Sequence, residues 1–207
     1  MNKQRVIVLN HVSDVTEAVR NHILNNDLDV LQINYNCTSS SPSPFYNMDN
    51  LTEIKFEIKL GNNVQSLYEF FYNCKSLKAV PLFDTTNVTN MEAIFFGCGS
   101  LETVPLFDTQ NVTNMSYMFD CCCALKSVPL FNTKNVTNMK YMFTYCKALK
   151  LVPLFDTKKV ANMSYMFFHC TKLETVPLFD TKKVTNMSYM FEFCEALKSV
   201  HNSTLVM

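Results

Sequence analysis

A cysteine returns every 24 residues through most of this chain, and no other feature limits its possible folds as strongly. The recurring positions are Cys74, Cys98, Cys122, Cys146, Cys170 and Cys194. Proline and phenylalanine keep the same period, so one unit reads LxxVPLFDTxxVxNMxxMFxxC. Periods of about 20 to 50 residues are typical of solenoids, in which each coil buries its apolar residues against its neighbours. We therefore predict a solenoid of about six coils.

The repeat also sets the predicted domain boundaries. Residues 51–207 form the solenoid. Within it, residues 51–74 are a degenerate first coil without the proline, residues 75–194 are five regular coils, and residues 195–207 are a terminal partial coil. Atypical first and last repeats are expected because the ends of a solenoid cover its core.

Residues 1–50 do not match the repeat. RVIVL and LDVLQINY predict two strands, and Ser13 to Asn26 predicts a helix between them, which gives a small β-α-β segment. The following stretch, CTSSSPSPF, is polar and contains two prolines, so it predicts a linker or an exposed loop. Two roles remain open for this segment: a cap of the solenoid, or a module that docks it to another protein.

Each regular coil combines a short extended stretch with a stretch of helical periodicity. The extended stretch of the last regular coil contains Leu173, Val176, Leu178 and Phe179. The residues that follow at helical spacings of three and four are Val184, Met187, Met190 and Phe191. We expect the extended stretches of stacked coils to pair in a parallel sheet, and the apolar side chains to be buried. The predicted fold class is α/β, a solenoid that resembles leucine-rich repeats.

The overall charge and hydropathy exclude several classes of protein. The 18 basic and 18 acidic side chains balance, so the chain lacks the positive field that attracts nucleic acid. No stretch reaches the ~20 apolar residues of a membrane span, and Val6–Leu9 is too short for a signal-peptide core. These features predict a cytoplasmic or virion location, and they favour reduced thiols for the nine cysteines.

No constellation of residues predicts catalysis, a cofactor or a metal site. The cysteine column lacks the close pairs of zinc sites and is expected to be buried core, whereas Cys121 and Cys123 lie beside it and are candidates for reactive thiols. Two polar columns are predicted to satisfy backbone groups in turns. They are Asp84, Asp108, Asn132, Asp156 and Asp180, and Asn90, Asn114, Asn138, Asn162 and Asn186.

The string VPLFDTxxVTNMSYMFxxCxxL, which tiles residues 75–200, resembles the repeat of the BspA-like leucine-rich-repeat surface proteins. This resemblance implies a location at the cell surface and adhesion to host proteins or to other cells. Related repeats are also carried by bacteriophages.

Two sets of residues in the repeat have chemistry suited to recognition, because tyrosine offers a rigid contact area with a polar tip. The tyrosine column is Tyr117, Tyr141, Tyr165 and Tyr189. The lysines are Lys134, Lys158, Lys159, Lys182 and Lys183. The alternative is that the tyrosines pack laterally on one another and the lysines only keep the surface soluble.

Together these patterns predict a non-enzymatic binding or adhesion protein that presents its repeats to a protein or a glycan. A virion-associated structural or host-attachment protein of a bacteriophage or other virus is the alternative. The sequence leaves the oligomeric state open.

Overall fold

The computed structural model describes residues 4–200. Its regular elements are strand β1 (Val6–Leu9), a 3-10 helix (Val12–Asp14), helix α1 (Glu17–Leu24), and strands β2 (Val30–Ile33), β3 (Glu57–Leu60), β4 (Thr175–Val176) and β5 (Ser199–Val200). Helix α1 is the only α-helix within residues 4–200.

Strands β1, β2 and β3 form one parallel sheet at the amino-terminal end of the chain. Helix α1 lies between β1 and β2 in sequence and is capped by Thr16, whose Oγ1 accepts a hydrogen bond from the Val19 amide at 3.3 Å. Ile23 of α1 is fully buried, and it belongs to the same continuous core as the residues of the coils. The amino-terminal segment therefore packs directly on the stack.

The coils are joined by hydrogen bonds that run along the stack. In the coil of residues 99–122, the amides of Met115, Tyr117, Phe119 and Cys121 donate to carbonyls of the next coil at 3.0, 2.9, 2.9 and 2.8 Å. The amides of the alternate residues Met118, Asp120 and Cys122 donate to carbonyls three residues earlier in their own coil. This alternation gives every amide from Met115 to Cys122, apart from that of Ser116, a backbone acceptor, and the Ser116 amide is bound by a side chain.

The predicted helical turns of Val184, Met187, Met190 and Phe191 are wrong, because these residues lie in a series of turns. An α-helix would direct each amide to the carbonyl four residues earlier, whereas here every second amide reaches the neighbouring coil. The backbone also enters the left-handed region twice in each regular coil, for example at Tyr141 (φ 58°) and Tyr145 (φ 57°). A helix cannot include such residues.

The predicted parallel pairing of the extended stretches is present only in part, and most of the parallel bridges between coils lie elsewhere in the repeat. In the extended stretch, only β4 and β5 pair as strands within the described residues. The proline in the middle of this stretch has no amide to donate, and the preceding coils make isolated contacts there, such as Lys126 N to Glu102 O at 3.1 Å. Parallel bridges recur instead along the asparagine column, each between residues 24 apart, as from Asn114 to Asn138.

The core consists of the predicted cysteine, methionine and phenylalanine columns. Cys122, Met118 and Phe119 are fully buried, and their equivalents in the neighbouring coils are buried as well. The rings of Phe119 and Phe143 stack with centroids 5.5 Å apart. Each cysteine of the column donates a weak Sγ hydrogen bond to a phenylalanine carbonyl, as Cys122 does to Phe95 at 3.1 Å. The prediction that the cysteines are buried core is confirmed, except that Cys194 is only half-buried.

The stretch CTSSSPSPF, predicted as a linker or exposed loop, is exposed in its middle but buried at its two ends. Thr38 to Ser40 are exposed, but Cys37, Ser43 and Phe45 are almost completely buried. The Phe45 ring contacts the Phe71 ring with centroids 4.8 Å apart, and the Phe45 amide donates to Ser43 Oγ at 2.9 Å. The apolar ends therefore pack against the first coil, and only the middle of the stretch projects into solvent.

Candidate binding surface

A leucine in every regular coil points into solvent, although the sequence predicted that these side chains are buried. The leucine column consists of Leu82, Leu106, Leu130, Leu154 and Leu178, which are 65, 60, 61, 61 and 54% exposed. The phenylalanine that follows each of them is buried. A hydrogen bond from the Phe107 amide to the Pro105 carbonyl, at 3.0 Å, closes a tight turn at this point and recurs at Pro129 and Pro153.

From this leucine onward the chain alternates between solvent and core. Leu130, Asn132 and Lys134 are exposed, whereas Phe131 and Thr133 are buried. This is the two-residue period of an extended chain, and it places leucine, aspartate or asparagine, and lysine side by side on one outer surface. The same alternation is present in the coil of residues 147–170.

Side chains of the aspartate and threonine columns hold this extended segment in place. Oδ1 of Asp108 accepts a hydrogen bond from the Gln110 amide at 3.0 Å, which confirms the predicted turn-capping role, and Asn132 does the same for Lys134 at 3.4 Å. Thr109 Oγ1 donates to the Asn132 carbonyl of the next coil at 3.0 Å. Both contacts recur along the stack, so the exposed side chains are presented in register.

The five predicted lysines are all exposed, and three of them lie in the outward-facing series that begins at each leucine. An open groove of about 330 Å³ is lined by Leu154, Asp156, Lys158, Leu178 and Asp180, together with two buried residues, which shows that the three kinds of side chain share one surface. We call this surface the leucine face. It comprises the leucine column, the aspartate column, and Lys134, Lys158 and Lys182, and it is bordered by Lys159 and Lys183, which are also exposed.

The leucine face continues onto the amino-terminal sheet. A second open groove, of about 610 Å³, is lined by Leu82, Asp84 and Leu106 of the coils and by Glu57 and Lys59 of β3, among others. An apolar stripe that repeats over five coils and reaches the adjoining sheet is unusual for a surface that faces only water.

The tyrosine column forms a ladder of stacked rings. The centroids of Tyr117 and Tyr141 are 4.7 Å apart, those of Tyr141 and Tyr165 are 4.5 Å apart, and those of Tyr165 and Tyr189 are 4.8 Å apart. The first two pairs are nearly parallel, with interplanar angles of 7° and 4°. The faces of Tyr141 and Tyr165 are therefore covered by neighbouring tyrosines, and only ring edges and hydroxyl groups remain for a ligand.

Among the described residues, none of the five predicted lysines lies over a ring of the tyrosine column. The lysine that lies near the ladder is Lys140, with its Nζ 4.9 Å from the centroid of Tyr141 and 5.9 Å from that of Tyr117. This geometry agrees with the alternative interpretation of the tyrosines as lateral packing. The tyrosines of the column have a left-handed backbone, with φ of 57° or 58°, and the stacking of their rings offsets part of the cost of that strained conformation.

The asparagine column has the role predicted for it. Asn138 Oδ1 accepts a hydrogen bond from the Lys140 amide at 3.1 Å, and Asn162 and Asn114 make the equivalent bonds to Ser164 and Ser116. These amides are occupied by the backbone of the turn. The column is therefore structural.

A buried carboxylate, that of Asp120, lies in the stack close to Cys122. Asp120 is 6% exposed, and burial raises its pKa from 3.8 to about 6, with hydrogen bonds from Cys121 as a smaller opposing effect. Burial, together with the nearby Asp120 carboxylate, raises the pKa of the Cys121 thiol to about 12. Cys123 is exposed. Of the two thiols predicted to be reactive, the structure therefore favours Cys123.

Two further properties concern residues 4–200. In this range, no group of three His, Cys, Asp or Glu side chains is arranged to hold a metal ion. No helix in the same described range has the length and apolar character required to cross a membrane.

The coils, their parallel bridges and the buried columns define a repeat protein of the leucine-rich-repeat type. The chain is similar to the crystal structure of a leucine-rich repeat protein from Eubacterium ventriosum, with a TM-score of 0.55 and 20% sequence identity. The likeness covers 84% of this chain and 55% of that chain, so the protein spans about half the length of that relative. At this identity, the comparison establishes the fold alone.

Residues 65–151 and 150–204 match the family described as "Mycoplasma protein of unknown function, DUF285". Together the matches extend from residue 65 to residue 204, which is 140 of the 207 residues. The chain belongs to this family. No curated protein matches the sequence.

Proposed function

We propose that this chain is a non-enzymatic binding protein that recognises its partner through the leucine face. The observation that carries the proposal is the exposure of one leucine, by 54 to 65%, in each of five successive coils. Large contiguous apolar patches on soluble proteins mark sites of interaction. Repetition along a solenoid multiplies such a contact, because each coil adds one leucine, one polar turn residue and, in the later coils, one lysine.

The chemistry of the face favours a protein over a glycan. Leucine side chains offer apolar contact area, which apolar side chains of a protein match well. The tyrosines, which would be the aromatic platforms for other ligands, have most of their ring faces covered by one another. We therefore assign recognition to the leucine face and a mainly structural role to the tyrosine column.

In its cellular setting, the proposed activity is adhesion at a cell surface, as the resemblance to BspA-like proteins implies. Protease treatment of intact cells that produce the chain tests this location, because a surface-exposed protein is cleaved while the cells remain closed. Recovery of the chain in purified virus particles would instead support the virion alternative.

A direct test of binding uses the full chain immobilised on a sensor, with a panel of extracellular-matrix proteins and a glycan array as probes. The binding variant carries Leu106→Ser, Leu130→Ser and Leu154→Ser, all at exposed positions. Since interface anchors often contribute more than about 1 kcal/mol each, we expect at least a hundredfold loss of affinity for any protein that binds.

The matched control is Tyr141→Phe with Tyr165→Phe, which removes the two hydroxyl groups but keeps the stacked rings. This control should bind as the natural chain does. Binding that survives the leucine substitutions but disappears in the tyrosine variant would contradict the proposal, as would a chain that binds none of the probes.

A further inference from the structure

The leucine face carries opposite charge at its two ends. The coils of residues 75–98 and 99–122 contribute Asp84 and Asp108 and no lysine to the face, which gives a net charge of −2. At the other end, Lys158 and Lys182 lie in the face and Lys159 and Lys183 border it, against Asp156 and Asp180, or 4 − 2 = +2. The middle coil contributes Lys134 beside the uncharged Asn132.

This distribution makes the face complementary to itself. If a second copy is related by a 180° rotation about an axis that lies in the plane of contact, between the two Leu130 side chains, Leu82 lies opposite Leu178, and Leu106 lies opposite Leu154. The same rotation places the acidic end of each copy against the basic end of the other. A twofold contact of this kind uses one patch on both copies and closes on itself.

We infer that the leucine face associates with the leucine face of a second copy of this chain, in an antiparallel twofold dimer. The inference rests on the surface assigned under the proposed function and names one protein partner for it. Apolar contact between the leucine columns stabilises the dimer, and the opposed charges select the antiparallel arrangement over the parallel one.

The size of the face indicates a weak dimer. Five leucines at a spacing of about 4.8 Å span about 19 Å, and the extended residues from leucine to lysine span about 13 Å. This footprint is smaller than the roughly 800 Å² per partner of a typical stable complex. We expect a dissociation constant on the order of 100 μM, which becomes effective when many copies are displayed together on one surface.

Sedimentation velocity of the full chain, from about 5 μM to about 1 mM and at low salt, measures this association. The two Leu130 side chains face each other across the proposed axis, so Leu130→Glu places two carboxylates together and should weaken dimerisation at least tenfold. Lys172→Glu, at an exposed position outside the face, should have no effect. Dimers of the natural chain should also weaken as the salt concentration rises.

A pair of charge variants tests the antiparallel arrangement. The positive variant gives the first two regular coils the asparagine and lysine that the middle coil carries as Asn132 and Lys134. Its substitutions are Asp84→Asn, Thr86→Lys, Asp108→Asn and Gln110→Lys. The negative variant carries Lys158→Glu and Lys182→Glu. Each variant alone then opposes like charges and should dimerise less than the natural chain, whereas a mixture of the two should form heterodimers.

A natural chain that stays monomeric at 1 mM overturns the dimer, as does a mixture that associates no better than the separate variants. A monomeric chain that still binds a matrix protein through the leucine column contradicts only the dimer and leaves the proposed function in place. Dimers that resist Leu130→Glu show that another surface mediates association, which also contradicts the inference.

Discussion

Replacing the buried carboxylate of Asp120 should stabilise the protein at neutral pH and leave it almost unchanged at pH 4. Asp120 is 6% exposed, and the coils on either side carry Phe96 and Thr144 at the equivalent position. Its pKa rises from 3.8 to about 6 on burial, so the folded state holds the proton more tightly than the unfolded chain. The stabilisation from this proton is complete below pH 3.8 and is lost as the pH rises through 6.

The size of the effect follows from the two pKa values. The difference between 3.8 and about 6, at about 1.36 kcal/mol per pKa unit, gives a penalty of about 3 kcal/mol at pH 7. The same calculation leaves about 0.5 kcal/mol at pH 4. We therefore expect Asp120→Asn to raise the free energy of unfolding by about 2 to 3 kcal/mol at pH 7, or the Tm by roughly 4 to 12 °C.

Thermal and urea unfolding followed by circular dichroism at both pH values measures this difference. Asp120→Thr introduces the residue that the next coil carries at the equivalent position, Thr144, and removes the same charge without burying an amide. Asp108→Asn is the matched control, because that carboxylate is exposed and the next coil already carries Asn132; its effect should stay within about 0.5 kcal/mol. An equal change at both pH values, or no gain from either Asp120 variant at pH 7, would refute the reasoning.

Tyr141→Ser should lower the free energy of unfolding by about 1 to 3 kcal/mol, because it removes two ring stacks, whereas Tyr141→Phe should be neutral; equal melting of both variants would show that the ladder has no structural role. Among the cysteines, Cys123 should react first with a thiol reagent, and peptide mapping that finds Cys121 or Cys122 modified earlier would contradict the greater burial of those two thiols. Deletion of residues 123–146 should give a shorter folded solenoid, whereas deletion of 12 residues should not, and circular dichroism that shows both to be unfolded would contradict re-stacking of the coils.

The buried columns were the most predictable part of the fold. Each residue of a buried column, such as Cys122 or Phe119, packs among the equivalent residues of the neighbouring coils. Each coil therefore meets the same packing constraint and keeps the same residue type at that position. That constraint is visible in one sequence, because the sequence itself contains the copies.

The conformation between those columns was less predictable. Apolar residues at spacings of three and four suit a helix, but they also suit successive turns closed by bonds between residues three apart, as from Met118 to Met115. The choice between a helix and successive turns depends on amides that donate to the neighbouring coil, as the Tyr117 amide does to the Lys140 carbonyl, 23 residues further along the chain. Local periodicity contains no information about these bonds.

The outward direction of the leucine column was not predicted, because the leucine stands in the apolar string VPLF, all of which was expected to be buried. From Leu154 onward, exposed and buried residues alternate through Phe155, Asp156, Thr157 and Lys158. This is the pattern of an extended chain with one face in solvent, and it places leucine on the same side as aspartate and lysine. The lysines were therefore found as surface candidates, while the leucines between the core positions were assigned to the core.

The most direct test of the exposed leucine face compares two leucines of one coil, five residues apart. Leu125 is fully buried and Leu130 is 61% exposed. Leu125→Ala should lower the free energy of unfolding by about 2 to 5 kcal/mol, because it leaves a cavity between coils. Leu130→Ala should change it by no more than about 0.5 kcal/mol. Equal losses in urea unfolding of the two variants would place both side chains in the core and contradict the leucine face.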